Sequence, residues 1–287
     1  MSNKLDGVLV VNKEKGMTSR DVVNEICKIF KTKKVGHTGT LDPLAEGVLV
    51  ITIGNATKIG ELLTSEYKEY IAGVLLGIKT DTYDIEGKVI DNKLVYDNLN
   101  IEKTISSYKK TYMQEVPIYS AVKVNGKKLY EYARNNEEVE LPKKKVTIKK
   151  IELLSTDRCE FMFKALVSKG CYIRSLINDI GKSLNTYATM TKLTRTKQGK
   201  FTIEEAYTLD DIKNGKYKLY SIDEALDYPV IEIENDLYKK ISNGVKIKNE
   251  FNIRDKVIFK YKDKILGIYE KDKDMLKTWK NFNVNYN

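Results

Sequence analysis

The segment GHTGTLDP (36–43) contains the carboxylate best suited to chemistry in this sequence, Asp42. Gly36 and Gly39 permit backbone angles that other residues resist, and Pro43 stiffens the chain directly after the acid. Such a loop holds one carboxylate in a fixed orientation beside a strand. The alternative is a turn in which the Asp only accepts backbone N–H bonds, which is common for an Asp-Pro pair.

Other kinds of site chemistry find little support. His37 is the single histidine, so His-rich metal sites are excluded and a Ser-His-Asp arrangement could use only this residue. Phosphatase loops share the string TGTL, but their nucleophilic Asp precedes Thr-Gly-Thr, where this sequence has His37. Neither GxxxxGK[ST] nor GxGxxG occurs, and we expect no metal or other cofactor.

The elements around Asp42 can be predicted from hydrophobic spacing. Residues 7–12 are typical of a short buried strand, and residues 48–53 of a core strand. Thr18 and Asp21 form a capping-box pattern ahead of a helix. Further on, the pattern predicts a strand pair over 67–79 and 87–90, a helix over 101–112, and a turn at Asn125-Gly126 leading into a short helix. It then predicts strands over 146–154 and 160–167 and an amphipathic helix over 172–184.

This irregular alternation favours an α+β fold with a mixed, mostly antiparallel sheet. After about Tyr228, short strand-like pieces alternate with turns, which indicates a small β-rich unit. We therefore expect two domains, 1–228 and 229–287.

The charge and cysteine content suggest the partner and the compartment. Lys and Arg number 50 against 40 Asp and Glu, giving a net charge of +10, which favours a polyanionic partner such as nucleic acid or reflects a Lys-rich solvated surface. Cys27, Cys159 and Cys171 are widely spaced without a CxxC pair, which favours a reducing cytoplasm. No run approaches the roughly 18 apolar residues of a membrane span.

Six segments, in order, resemble the bacterial tRNA pseudouridine-55 synthases, the TruB family. The resemblance extends from residue 13 to residue 196 and is strongest over GHTGTLDPLAEGVLVITIGNATK (36–58). The other segments are KEKGMTS (13–19), KEY (68–70), YSAVK with Gly126 and YAR (119–134), SKGCYIRS (168–175) and LTRT (193–196).

The resemblance implies a pseudouridine synthase fold with a C-terminal PUA-like RNA-binding domain, and it implies roles for individual residues. Asp42 matches the catalytic aspartate, Tyr70 the tyrosine against the target base, and Arg174 the arginine that pairs with the catalytic carboxylate. His37 matches a histidine near the flipped-out nucleotide, and Tyr172 and Leu193 match residues that line the uracil pocket.

Several lysines are candidates for phosphate contact, among them Lys13 in the first segment. Four positions depart from the family pattern: Glu14, Glu46, Cys171 and Ile118. Glu46 adds a negative charge four residues after Asp42, which bears on how the RNA is positioned and leaves the reaction class unchanged.

The implied reaction releases uracil from C1′, turns it and rejoins it through C5, so no redox or phosphate cofactor is required. A carboxylate near C1′ stabilises or traps the positive charge that develops there. Attack at C6 of uracil and loss of the C2′ proton remain alternatives. The target base must first leave its stack, which costs a few kcal/mol.

We therefore expect an enzyme that acts on tRNA as a cytoplasmic monomer, with no membrane and no obligate protein partner. Two rivals are an RNA chaperone on the same scaffold and an RNA-guided relative acting on ribosomal RNA with protein partners. A carboxylate repels phosphate, so the presence of Asp42 argues against a pure binder. The absence of large insertions among the tRNA-type segments argues against the guided relative.

Overall fold

The computed structural model describes residues 5–64, 66–96 and 98–282. These residues form one large sheet of ten strands, and a second sheet of five strands follows it in the chain. No helix in the described part of the chain has the length and apolar character needed to cross a membrane.

The large sheet is mixed and mostly antiparallel, as expected from the sequence. Its strands are β1 (Gly7–Lys13), β2 (Val35–His37), β3 (Glu46–Ile53), β4 (Lys68–Leu76), β7 (Thr111–Glu115), β10 (Lys143–Asp157), β11 (Glu160–Val167), β12 (Ala188–Gln198), β13 (Phe201–Thr202) and β14 (Leu219–Tyr220). Its main path runs β14-β1-β3-β12-β4-β11-β10-β7, with β2 paired to β3 and β13 to β12. The pairing of β12 with β3 is parallel, whereas the other pairings are antiparallel.

Two short hairpins and seven helices accompany this sheet among the described residues. The hairpins are β5 (Ile78–Thr80) with β6 (Val89–Asn92) and β8 (Lys123–Val124) with β9 (Lys127–Lys128). The helices are α1 (Ser19–Ile29), α2 (Gly60–Thr64), α3 (Ile101–Ser106), α4 (Leu129–Arg134), α5 (Ile173–Ser183), α6 (Leu209–Lys213) and α7 (Ile222–Ala225).

The large sheet has an apolar cluster on each face. Alternating residues of β1 and β3 separate the two clusters: Leu9 and Leu49 contribute to one with α1 and α5, while Val8 and Val48 contribute to the other. This division follows from the pleat, which points successive side chains to opposite faces.

The second sheet packs against the cluster that contains Val8 and Val48. Its elements are β15 (Val230–Glu232), α8 (Asn235–Ser242), β16 (Ile247–Lys248), β17 (Lys256–Tyr261), β18 (Lys264–Asp272) and β19 (Met275–Asn281). The strand order is β15-β17-β18-β19-β16, and α8 lies beside the sheet. Ile258, Ile268 and Phe282 complete the shared cluster.

A glycine permits the close approach of β3 and β12. Gly47 has φ +97°, and a Cβ at this position would lie 2.3 Å from the carbonyl oxygen of Arg195. Only a residue without a side chain fits both the dihedral and the contact. Gly47 thereby allows the parallel pairing that places β12 beside the strand following Asp42.

Two element predictions were wrong. The expected helix over 101–112 ends at Ser106, and residues 111–115 form β7. The expected strand over 67–79 divides at Gly77, which has φ +85°, so that β5 forms its own hairpin with β6.

Candidate active site

Asp42 and Arg174 form a direct ion pair. Arg174 Nη2 lies 3.0 Å from Asp42 Oδ2, with the arginine side chain 6 % exposed and the aspartate side chain 39 % exposed. The guanidinium is therefore held in the protein while the carboxylate remains open to a ligand. Hydrogen bonds to a charged partner of this kind are stronger than neutral ones, and they orient the acid.

Arg174 is fixed by more than Asp42. It follows the first residue of α5, and its guanidinium donates to the carbonyls of Thr82, at 3.0 Å, and Tyr119, at 3.2 Å. Asp84 Oδ2 lies 3.7 Å from Nη1 as a second acid. The guanidinium is thus shared between two carboxylates and two carbonyls, which leaves it few alternative orientations.

The loop that carries Asp42 is anchored by the start of α1. Thr18 caps this helix with Asp21, as the sequence predicts. The next residue, Ser19, accepts from Leu41 N at 2.8 Å and donates to Leu41 O at 3.1 Å. The capped helix end therefore fixes both backbone groups of the residue directly before Asp42.

Asp42 opens into a cavity of about 430 Å³, within the range of about 300–1,000 Å³ typical of ligand pockets. Its walls include Tyr70, Tyr172 and Leu193, together with Arg174. Tyr70 and Leu193 are 7 % and 6 % exposed. Four of the predicted site residues thus meet Asp42 around one pocket, with apolar and aromatic faces suited to a flat ring.

Gln114 holds Tyr172 at this pocket. Its Oε1 accepts from Tyr172 N at 2.8 Å and its Nε2 donates to Tyr172 O at 3.1 Å. Burial is the main cause that raises the pKa of Tyr172 above its ordinary value. The phenol is therefore kept in its neutral form, which suits contact with an uncharged ring.

Lys13 and His37 lie outside the residues that line the cavity. Lys13 is 1 % exposed, and burial lowers its pKa to about 8, with Asp42 opposing that shift. Its position therefore favours an electrostatic contribution beside Asp42 over contact with a surface phosphate. His37 is half-buried at the end of β2, and burial, then Arg20 and Arg195, lower its pKa.

Two charged residues at the site were missed by reasoning from the sequence. Asp84 lies in TDTYDIEG, a segment that indicates only a turn, and no local pattern distinguishes it from other turn acids. Arg195 is fully buried and donates to the carbonyls of Gly39, Thr40 and Val48. The sequence did contain part of the information needed to find Arg195. Only six of the 50 basic residues are arginine, and Arg binds partners in ways that Lys does not.

Two family models match successive parts of the chain. The model for the N-terminal domain of TruB family pseudouridylate synthases matches residues 27–173. The model for the C-terminal domain of tRNA pseudouridylate synthase B matches residues 174–237.

Curated relatives match nearly the full length. A protein of Clostridium kluyveri named tRNA pseudouridine synthase B is 44% identical over 269 residues, covering 92% of each chain. A protein of the same name from Limosilactobacillus reuteri is 40% identical over 301 residues, covering 98% of this chain and all of its own, 100%.

Solved structures show the same fold at lower identity. The crystal structure of a Cbf5-Nop10-Gar1 complex matches with a TM-score of 0.72 at 23% identity, covering 96% of this chain and 84% of that one. An H/ACA RNP bound to a substrate RNA matches with a TM-score of 0.71 at 22% identity and the same coverage.

The fold and the carboxylate-guanidinium pocket together define an isomerase of the pseudouridine synthase class. Within that class, the chain belongs to the TruB family.

Proposed function

We propose that this chain converts uridine 55 of tRNA to pseudouridine, with Asp42 as the nucleophile on a flipped-out nucleotide. The observation that carries the proposal is the 3.0 Å pair of Arg174 with an Asp42 carboxylate that opens into a cavity. The relatives named tRNA pseudouridine synthase B support tRNA as the substrate. They favour it over the RNA-guided alternative, for which the likeness in structure supplies the fold alone.

Each side chain has a distinct part in this proposal. Asp42 attacks or stabilises C1′ as the glycosidic bond breaks, and Arg174 keeps its carboxylate aimed at the sugar. Tyr70 lies against the uracil, and its hydroxyl is available for proton movement at C5 or C2′. Tyr172 and Leu193 shape the pocket around the released base, which must stay bound while it turns.

Charge near the pocket favours RNA. Lys169 and Arg174 both line the cavity, and the net charge of +10 favours a polyanionic partner. His37 and Lys13, outside the cavity wall, contribute to the environment of the flipped nucleotide and of Asp42.

Further parts of the proposal concern the whole protein. It acts in the cytoplasm as a monomer without an obligate protein partner. Residues 1–228 form the catalytic domain, and residues 229–287 form a PUA-like domain that binds RNA. The strands of the second sheet, within 230–281, support the division at residue 228.

The test is to map pseudouridine on an unmodified tRNA transcript by chemical labelling and primer extension, with the wild type and Asp42→Asn. We expect a single modified position at uridine 55 with the wild type. With Asp42→Asn we expect none, because an amide is neither an anion nor a nucleophile.

The matched control is Asp227→Asn, an exposed carboxylate paired with Lys200 away from the site. Asp227→Asn should modify the transcript like the wild type. As a second control, Asp42→Asn should still bind tRNA in a filter assay. Full turnover by Asp42→Asn would refute the role of Asp42. A wild-type protein that leaves uridine 55 unmodified would refute the substrate.

A further inference from the structure

Arg195 is a buried cation with no acid paired to it among the described residues. Its side chain is fully buried, 0 % exposed, and within residues 5–64, 66–96 and 98–282 no carboxylate lies at ion-pair distance from it. By contrast, Arg174, which also lines the cavity, contacts two carboxylates. Burying an ion costs several kcal/mol after relaxation, and a neutral side chain would avoid that cost.

The hydrogen bonds of Arg195 join three elements of the site. Nε donates to Val48 O of β3 at 2.6 Å, and Nη2 donates to Gly39 O of the Asp42 loop at 3.0 Å. Nη1 lies 3.5 Å from both Thr40 O and the Tyr70 hydroxyl of β4. Only a planar fork with several donors can reach all of these acceptors from one side chain.

The backbone of the loop that carries Asp42 packs closely against the Arg195 guanidinium. A Cβ on Gly39 would lie 3.4 Å from Arg195 Nη1 and 3.2 Å from Lys68 Cε. The loop backbone therefore lies directly on the guanidinium, so a shift of Arg195 would move Thr40, two residues before Asp42.

In the hydrogen bond between Arg195 and Tyr70, only Arg195 can be the donor. The guanidinium has donors and no acceptor, so the tyrosine oxygen accepts and its own proton must point elsewhere. Tyr70 lines the cavity. The hydroxyl proton is therefore free to be donated toward a ligand in the cavity.

We propose that Arg195 is a positioning residue for the isomerisation, which fixes the Asp42 loop and the Tyr70 hydroxyl relative to each other. This inference rests on the proposed function, because it assigns Arg195 to the reaction of the same pocket. Arg195 acts through Asp42 and Tyr70, so its loss should slow the chemical step and leave tRNA affinity almost unchanged.

The experiment compares wild type, Arg195→Lys, Arg195→Met and Gln198→Leu. Gln198 is the matched control, since it is also buried on β12 and donates to Thr38 O of the same loop, at 3.3 Å. No hydrogen bond joins it to Tyr70 in the described part of the chain. For each variant, we would measure the single-turnover rate of pseudouridine formation, the Kd for tRNA, and the melting temperature.

We expect Arg195→Lys to melt near the wild type and to bind tRNA within about threefold, with a rate lower by about a hundredfold, the scale of a 1 Å misplacement. Arg195→Met should be slower still. Gln198→Leu should lower the melting temperature while its rate, measured well below that temperature, falls less than about tenfold.

A wild-type rate with Arg195→Lys would overturn the inference, because the fork would then be unnecessary. A rate loss that only follows the unfolded fraction, or that Gln198→Leu reproduces, would also overturn it. If the wild type itself makes no pseudouridine, the proposed function fails. If the wild type is active and the Arg195 variants are equally active, only the inference about Arg195 fails.

Discussion

At the scale of residues, the site depends on two arginines with different surroundings. Arg174 is paired with Asp42 and Asp84, so its charge is largely balanced. Arg195 is bonded to carbonyls and a hydroxyl, so its positive field extends to its neighbours. The effect is visible at Lys13, His37 and Lys68, where Arg195 is among the causes of a lowered pKa.

Lys68 gives a pH-dependent prediction. Burial, and after it Arg195, lowers its pKa from 10.5 to about 8. Between these values the unfolded chain binds more protons than the folded one, so stability from this group rises with pH. We expect the free energy of unfolding of the wild type, relative to that of Lys68→Met, to rise from about pH 8 to about pH 9.5.

Urea unfolding of both proteins at several pH values in that window measures the difference. The pH range ends below 10.0, the ordinary pKa of tyrosine, because buried tyrosines such as Tyr108 titrate at higher pH and would add their own effect on stability. Lys28→Met is the control, since Lys28 is exposed and the hydrogen bond that it donates to Glu25 raises its pKa. A difference in unfolding free energy that is constant or falls with pH would contradict a lowered pKa of Lys68 in the folded protein.

At the scale of elements, the meeting of β3 and β12 makes Gly47 indispensable. Gly47→Ala adds a strained dihedral, which costs roughly 1–3 kcal/mol, and a clash with the Arg195 carbonyl. We expect a total loss above about 3 kcal/mol in urea unfolding at pH 7, together with slower isomerisation because Arg195 is displaced.

Gly126→Ala is the matched control for the dihedral. Gly126 has φ +83° with nothing within 4 Å of a Cβ, so it carries the strain without the clash. It should lose only about 1–2 kcal/mol. Equal losses for the two variants would show that the contact with β12 contributes nothing.

Elements whose apolar residues follow a regular period were predictable from the sequence. The Thr18 cap and the apolar face of α1 were recognised, and β11 was predicted with its observed bounds, because its buried side chains alternate strictly. Asp42, Tyr70 and Arg174 were found through short segments whose order matches the TruB family.

The strand β12 was not predicted, although it carries Leu193 and Arg195. Its buried side chains include Thr189, Arg195 and Gln198, which are polar and become buried only because the fold supplies hydrogen-bond partners. A hydrophobic pattern cannot register such positions. For the same reason, the sequence indicated Lys13 only as a candidate for phosphate contact, since no local feature shows that a lysine at the end of a strand is buried.

At the scale of the whole molecule, the two sheets should unfold together. Ile258, Ile268 and Phe282 share an apolar cluster with β1 and β3, and Lys260 forms a 2.7 Å pair with Asp223 across the same junction. Separation would expose this cluster to water, at a cost of about 25 cal/mol per Å² of apolar surface.

The single tryptophan, Trp279, lies on β19 and packs against the shared cluster, so it reports on the second sheet and on its junction with the large sheet. Leu49→Ala truncates a buried side chain that belongs to the opposite cluster of the large sheet, and such changes cost about 2–5 kcal/mol. We expect it to lower the urea midpoint of Trp279 fluorescence and that of far-UV circular dichroism equally.

Leu276→Ala, in the core of the second sheet itself, is the companion variant and should also move both midpoints equally. A Trp279 midpoint that stays at the wild-type value in Leu49→Ala would show two independent units. In that case the proposed division at residue 228 would also be a boundary between two units of stability.

The shared cluster also bears on how the protein emerges from the ribosome. Val8 and Val10 of the first strand are synthesised early, but the side chains that cover them include Phe282. Earlier residues such as Ile59, Phe201 and Ile222 cover part of this face of the large sheet, and the cover is complete only when almost the entire polypeptide has been made. Translation that stalls after residue 174 but before position 258 would leave apolar side chains of this face exposed to water, even though Asp42, Tyr70 and Arg174 have all been made.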